Sequence, residues 1–278
     1  MEKFSSQYML KNPHDVFFKE VMSNRKIAKD IILNYCSKDI TNQMDMRTLK
    51  RTNDSFVDKE LSTHLSDMVY TAEIKGKTSY IYFLFEHKSY PDRLVSFQIL
   101  RNMVKIWENC LKQNRKIKKL PFIMPILFYH GKKRWTEGCN FSNIIDEVPF
   151  SEVYIPDFSF EMLDVSHLDD DEIRGGILSK IVLKIFKYVF DDDSSDKIID
   201  TIRLFNKLVD EKEATRFLET LLRYLAAGFE QKDKEVEDAF IEKVNRVLKE
   251  GENKMATLAE RWIKEGEARG EARGEARG

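Results

Sequence analysis

The stretch from Leu65 to Lys88, LSDMVYTAEIKGKTSYIYFLFEHK, limits the possible folds more than any other part of the chain. Asp67, Val69, Thr71 and Glu73 alternate with Met68, Tyr70, Ala72 and Ile74, the period-2 pattern of a strand. Lys75-Gly76-Lys77 reads as a tight turn, with Gly76 free to take a positive φ. A second strand from Ser79 to Lys88 is apolar without interruption from Tyr80 to Phe85 and stops at Glu86-His87-Lys88. Alternation puts Glu86 and Lys88 on one face of that strand and His87 on the other.

A hairpin that returns Asp67 alongside Glu86 joins two carboxylates and a lysine at the end of a hydrophobic strand. Carboxylates a few ångströms apart repel unless a cation lies between them. A small set of hard oxygen ligands, completed by water, suits Mg²⁺. A lysine one strand step further on can orient water or stabilise charge on a phosphoryl oxygen. The spacing is also that of a buried strand whose last residues simply reach solvent, because an Asp followed at a distance by Glu-x-Lys is a short pattern.

Asp67 and Glu86-x-Lys88 resemble the PD-(D/E)XK phosphodiesterase signature. The surrounding words, HDVFFKEVM, FVDKELSTHLSDMVY, YIYFLFEHKS, PDRLVSFQILRNMVKIWE and PFIMPILFYHGKKRW, resemble the recombination-promoting nuclease / transposase-like family, a branch of that superfamily. The likeness runs from about residue 12 to 190. Many members carry glutamine, within EHQS, where this chain has Lys88; Ser66 stands where the superfamily proline is expected. The resemblance implies an α/β fold with a restriction-endonuclease-like core: a small mixed sheet flanked by helices, followed by an α-helical C-terminal region. It implies Mg²⁺, with Mn²⁺ as a substitute, held by Asp67 and Glu86, with Lys88 as the third catalytic residue. An acidic residue on the first helix supports the metal in this superfamily, and Asp15 and Glu20 both qualify. Gln98 resembles the glutamine of the QxxxY element of exonuclease-like members, although Asn102 stands where the tyrosine would be.

A chain of 278 residues with 42% apolar composition is long and apolar enough for a globular core. No run approaches the ~18 apolar residues of a membrane span, and the first residues lack the apolar core of a secretory signal. Cys36, Cys110 and Cys139 make no CxxC pair, as expected of reduced thiols in a cytoplasmic protein. The net charge of −1 hides an asymmetry: Arg101 to Trp135 holds ten Lys or Arg and one acid, whereas Ile145 to Glu172 holds ten Asp or Glu and no Lys or Arg. The basic block reads as a DNA footprint or as a solvated surface. Its contact candidates are Arg101, Lys105, Arg115, Lys116, Lys119, Lys132 and Lys133.

Along the chain, residues 13 to 35 read as helical, and 36 to 66 as short strands leading into the hairpin, with His64 a further residue able to face the site. A helix is expected from the Ser89–Asp92 turn to about Gln113. Its apolar positions include Leu94, Phe97, Leu100, Met103, Val104, Ile106, Trp107 and Leu111, and its other side carries Gln98, Arg101, Asn102, Lys105 and Lys112. Leu120 to Tyr129 reads as a buried strand that Pro125 makes irregular or partly unpaired. His130 and Trp135, in the loop that follows, read as a structural histidine and a packing residue. Helices are expected near 173–190, 196–209, 214–229 and 235–248, and their apolar sides can pair with a second copy. Three Glu-Ala-Arg-Gly repeats from Glu267 to Gly278 stack like charges at i,i+4 and interrupt them with glycine, a pattern expected to be flexible. The divisions are thus 1–160, a nuclease-like domain; 161–265, helical; and 266–278, a tail.

No GxxxxGK[ST], strand-following GxGxxG, HExxH or GxSxG is present. The reading is a Mg²⁺-dependent DNA endonuclease linked to recombination, mobile elements or defence against foreign DNA. Its rivals are a nuclease-fold DNA-binding protein that does not cleave and a helical assembly module.

Overall fold

The structure is a computed structural model and describes residues 13–52, 68–87, 90–146, 149, 152–189, 195–208, 211–229, 242–244 and 246–247. These fall into two units, one of His14–Ser179 and one that includes the chain from Lys180 onward.

The first unit opens with two helices where the periodicity suggests one: α1, Pro13–Met22, and α2, Arg25–Tyr35. Ser23 and Asn24 break the run. The Ser23 hydroxyl donates back to the Lys19 carbonyl, and the Asn24 side chain accepts the Lys26 N–H at 2.9 Å and caps the new helix. After one helical turn at Lys38–Thr41 come β1, Met44–Arg51, then β2, Met68–Ile74, and β3, Lys77–Glu86. The β2–β3 turn is tighter than expected. Ile74 pairs with Lys77, leaving only Lys75 and Gly76 in the loop, at φ 50° and 71°. Two consecutive positive φ values match the twist of a two-residue hairpin.

Helix α3, Val95–Gln113, then crosses over to β4, Ile123–Tyr129, which lies parallel to β3, as a helical crossover allows. Strand β5, Glu161–Asp164, pairs in parallel with β4 and completes a mixed sheet in the order β1-β2-β3-β4-β5. Its sequence, EMLD, lies in the acidic stretch from Ile145 to Glu172 and past the expected boundary at 160. The sheet-bearing unit instead runs on to Ser179.

Pro125 does not disturb β4, whose register against β3 is unbroken from Tyr80↔Ile123 to Glu86↔Tyr129. The His130 N–H donates to the Glu86 carbonyl at 2.9 Å, so the odd-numbered nitrogens of β4, including that of Pro125, point toward β5. Pairing with β5 begins only at Ile126, so the missing donor falls outside the ladder.

The sheet has two covered faces. On one, Val69, Tyr82, Leu84, Leu127 and Tyr129 pack with Val95, Ile99, Met103 and Ile106 of α3. On the other, Phe18 of α1 stacks on Phe85 with centroids 4.3 Å apart and lies 5.1 Å from Phe128. The Tyr70 hydroxyl donates to the Met22 carbonyl on this same side. Helix α3 is turned differently from the expected stripe. Leu94, Phe97, Val104 and Leu111 are exposed, whereas Asn102, expected on the polar side, is fully buried and donates to the Tyr82 hydroxyl at 2.6 Å.

The second unit is helical. Helix α4, Ile177–Tyr188, leads into it, followed by α5, Ser195–Arg203, a 3₁₀ turn at Leu204–Lys207, and α6, Glu211–Phe229. Phe186 meets Tyr224 and Phe205 meets Phe217 in its interior. Most of the helix expected at 235–248, and the whole Glu-Ala-Arg-Gly tail, lie outside the described residues. The three cysteines are free thiols. Among the described residues, no helix is long and apolar enough to cross a membrane.

Candidate active site

Glu86 ends β3 at the carboxyl-terminal edge of the parallel part of the sheet, where open α/β sheets place their ligands. Only 5% of its surface is exposed. Alternation with Tyr82 and Leu84 turns its side chain toward the α3 face. The aligned residues of the next two strands complete a row, Glu86–Tyr129–Asp164. Burial, then the negative charges of Asp164 and Glu86, push the Tyr129 phenol up to about 12, so it stays protonated and donates to the Lys133 carbonyl at 2.8 Å. Asp164 accepts the Trp135 backbone N–H at 2.9 Å and lies 2.8 Å from His167 Nδ1. It thereby holds the loop after β4 in place, and Trp135 packs edge-on against Tyr129, as expected of a packing residue.

Asp67, Lys88 and His64 lie outside the described residues. Met68, the residue after Asp67, pairs with Phe83 of β3. Asp15 and Glu20 are half-buried on α1, which covers the sheet face opposite the one toward which Glu86 turns, and burial raises the Asp15 carboxyl above the usual carboxylate range. Gln98 is half-buried on α3, the helix over the Glu86 face.

The basic residues do not form one patch. Lys132 and Lys133 are exposed in the loop that leaves β4 beside Glu86. Arg115, Lys116 and Lys119 are exposed in the segment entering β4 at its other end, where the Tyr80 N–H donates to the Phe122 carbonyl. Six residue steps along β3, from Tyr80 to Glu86, separate the two ends, about 20 Å at ~3.3 Å per residue. Arg101 is exposed and Lys105 half-buried on α3, which links the two ends.

On the α1 face of this same sheet edge lies a group that the one-at-a-time reading of histidines missed. His14 begins α1, His87 follows β3, and His130 follows β4. The ring centroids are 3.8 Å apart for His14–His87, 5.1 Å for His14–His130 and 5.2 Å for His87–His130. His87 and His130 both continue the stack on Phe85. The sequence signal was positional: each histidine sits at the end of an element that meets this edge.

Burial, and then the neighbouring His87, holds the His14 imidazole at about 3 against its ordinary 6.5; His87 is also lowered by burial, partly offset by its hydrogen bond to the His130 carbonyl. Between those two pH values the unfolded chain binds a proton at His14 that the folded chain does not, so this contribution to stability is lost as pH falls from about 6.5 toward 3. The slope from one such group is at most about 1.4 kcal/mol per pH unit. Urea unfolding midpoints measured from neutral to acid pH are expected to fall less steeply in His14→Gln than in the unmodified chain. Parallel curves would show that the ring protonates freely in the fold.

A family model described as "Putative transposase, YhgA-like" matches residues 12–216. The chain belongs to this family. It is similar to the recombination-promoting nuclease RpnD of Escherichia coli O157:H7, 26% identical over 260 residues that cover 92% of this chain and 96% of RpnD. The recombination-promoting nuclease RpnA of Escherichia coli strain K12 is 30% identical over 173 residues, covering 58% of this chain and 54% of RpnA. The protein of strain K12 named inactive recombination-promoting nuclease-like protein RpnE is 25% identical over 256 residues, covering 92% of this chain and 83% of RpnE. No solved structure matches the chain.

Proposed function

We propose that this chain is a metal-dependent DNA nuclease with a PD-(D/E)XK core, acting in recombination, mobile-element movement or defence against foreign DNA. The observation that carries the reading is Glu86: a buried carboxylate at the carboxyl end of a central strand, with the pairing of β2 and β3 beginning one residue after Asp67. Membership in a family with relatives named recombination-promoting nucleases supports it. A hard oxygen donor set fits Mg²⁺, or Mn²⁺ in its place, and Asp67 and Glu86 are the residues that would hold it. A divalent ion there supplies Lewis-acid polarisation of the scissile phosphate.

The chain's own groups do the rest. The Lys88 ammonium orients the attacking water and offsets negative charge developing on the phosphoryl oxygens. Gln98, on the helix over this face, hydrogen-bonds that water or a neighbouring phosphate oxygen. Lys132 and Lys133 hold the backbone of the DNA next to the site, while Arg101, Lys105, Arg115, Lys116 and Lys119 follow a longer duplex along α3. Asp15 or Glu20 would serve as an accessory acid. The C-terminal helices are the surface by which two copies would associate.

A second reading, DNA binding without cleavage, is favoured by the 25% identity to a relative named inactive. Supercoiled DNA incubated with the purified chain separates the two. Nicked or linear product that requires Mg²⁺ or Mn²⁺ and disappears with chelator is expected. DNA retention without product in either metal would establish the binding-only reading.

A further inference from the structure

The face of the sheet edge that turns away from Glu86 carries a second constellation of ligand-type groups. His14, His87 and His130 each present a ring nitrogen, and these three atoms all lie within 4.8 Å of one another. Nitrogens bound to one tetrahedral zinc ion at ~2.0–2.1 Å are about 3.3 Å apart. Closing on a common ion therefore requires the nitrogens to approach one another by no more than about 1.5 Å. Three separate elements supply them, α1, the end of β3 and the end of β4, and the His130 N–H bond to the Glu86 carbonyl locks the two strand ends in register.

The tautomer of one ring is already set. His87 Nδ1 lies 3.2 Å from the His130 carbonyl oxygen, which can only accept, so Nδ1 carries the proton and Nε2 keeps its lone pair. A backbone carbonyl that fixes one nitrogen while the other faces a metal is the usual outer partner of a ligating histidine. The Phe85 ring lies nearly parallel to those of His87 and His130, and Phe18 and Phe128 pack on Phe85. His14 and His87 are only half-buried, so the group opens to solvent on one side. Three protein nitrogens with an open side leave room for water or a further ligand in the remaining coordination positions.

The donor set chooses the ion. Imidazole nitrogens favour zinc, copper, nickel and iron, whereas Mg²⁺ takes oxygen ligands. We infer that His14, His87 and His130 form a binding site for a zinc-class divalent transition metal, distinct from the carboxylate site on the other face of the sheet. Such an ion clamps the first helix to the ends of the two central strands. It depends on neither Asp67 nor Lys88, so it stands or falls separately from nuclease activity.

Cobalt(II) is the probe, because its visible d–d absorption reports tetrahedral or five-coordinate nitrogen ligation without reference to activity. The full-length, tag-free chain, stripped with chelator, is titrated with Co²⁺. One equivalent is expected to bind with a visible band, Zn²⁺ to displace it, and Zn²⁺ to raise the melting temperature. Loss of an outer partner alone costs about 10- to 100-fold in metal affinity, so removal of a ligand is expected to cost more than about 100-fold. His14→Ala, which changes a half-buried side chain, and His87→Gln, which keeps a polar group of similar size, are each expected to lose the band, with circular dichroism reporting whether each is folded. Glu86→Gln is expected to keep it. A wild-type chain without a band, a band retained in both folded histidine variants, or a band lost in Glu86→Gln would overturn the assignment.

Discussion

Replacing Glu86 with glutamine is expected to abolish metal-dependent DNA cleavage while the protein remains folded. The substitution keeps the length and shape of a buried side chain, so β3 keeps its packing, through Tyr82 and Leu84, against α3. What it removes is the negative charge and one of two oxygen donors, leaving a neutral amide oxygen that holds a hard cation far more weakly than a carboxylate. Loss of a single electrostatic contact to the transition state typically costs about 10²- to 10³-fold in rate. Glu86 would be one of only two carboxylates holding the ion, so the loss is expected at the upper end of that range or beyond. The melting temperature should change little or rise, because an uncharged amide is easier to bury than a carboxylate. Single-turnover cleavage at saturating Mg²⁺, with thermal unfolding in parallel, is the measurement. Cleavage at the wild-type rate would remove Glu86 from the site and the proposed mechanism with it.

The hairpin was legible in the sequence because two independent signals agree there: period-2 alternation before Gly76 and a continuous apolar run after it. The same run placed β3 where both faces are covered. Elements whose signals conflict were not legible. Strand β5 is four residues of mixed polarity in an acidic region, and only its pairing with β4 makes it a strand. The break between α1 and α2 rests on side-chain hydrogen bonds of Ser23 and Asn24 that hydrophobic periodicity does not register. Asn102 reads as a surface residue by type, yet the Tyr82 hydroxyl gives it a buried partner. Pro125 looks like a disturbance in the sequence because its direction relative to β5 is set by topology alone.

The candidate site divides in the same way. The position of Glu86 was legible because it ends a hydrophobic strand, and its opposition to His87 followed from alternation alone. The histidine group was not, since each member taken singly is an ordinary polar residue. Their common address follows only once α1, β3 and β4 are known to end at one edge. The basic block is a different case. Residues contiguous in sequence are split between the two ends of β4, so their clustering along the chain overstated their clustering in space.

Phe18→Ala is expected to produce the largest loss of stability among single substitutions on the α1 face. Phe18 is fully buried, stacked on Phe85 at 4.3 Å with a 15° interplanar angle, and tilted against Phe128 at 5.1 Å. Truncating a buried phenylalanine to alanine costs about 3–5 kcal/mol, from lost transfer energy and from the cavity left behind. Aromatic geometry adds about 0.5–1.5 kcal/mol to area burial, so Phe18→Leu, which refills most of the volume without the ring, should recover the larger part of the loss. The same side chain positions His14 one helical turn earlier, against His87 and His130. Phe18→Ala should therefore weaken Co²⁺ binding at the three histidines as well as stability, whereas a cavity on the α3 face, made by Ile99→Ala, should lower stability and leave Co²⁺ binding unchanged. Denaturant unfolding and Co²⁺ titration of the three variants test both halves. A loss below about 1 kcal/mol in Phe18→Ala would mean that α1 is not seated on the sheet through this ring, and equal weakening of Co²⁺ binding by Ile99→Ala would mean that the histidines report general loosening and not the docking of α1.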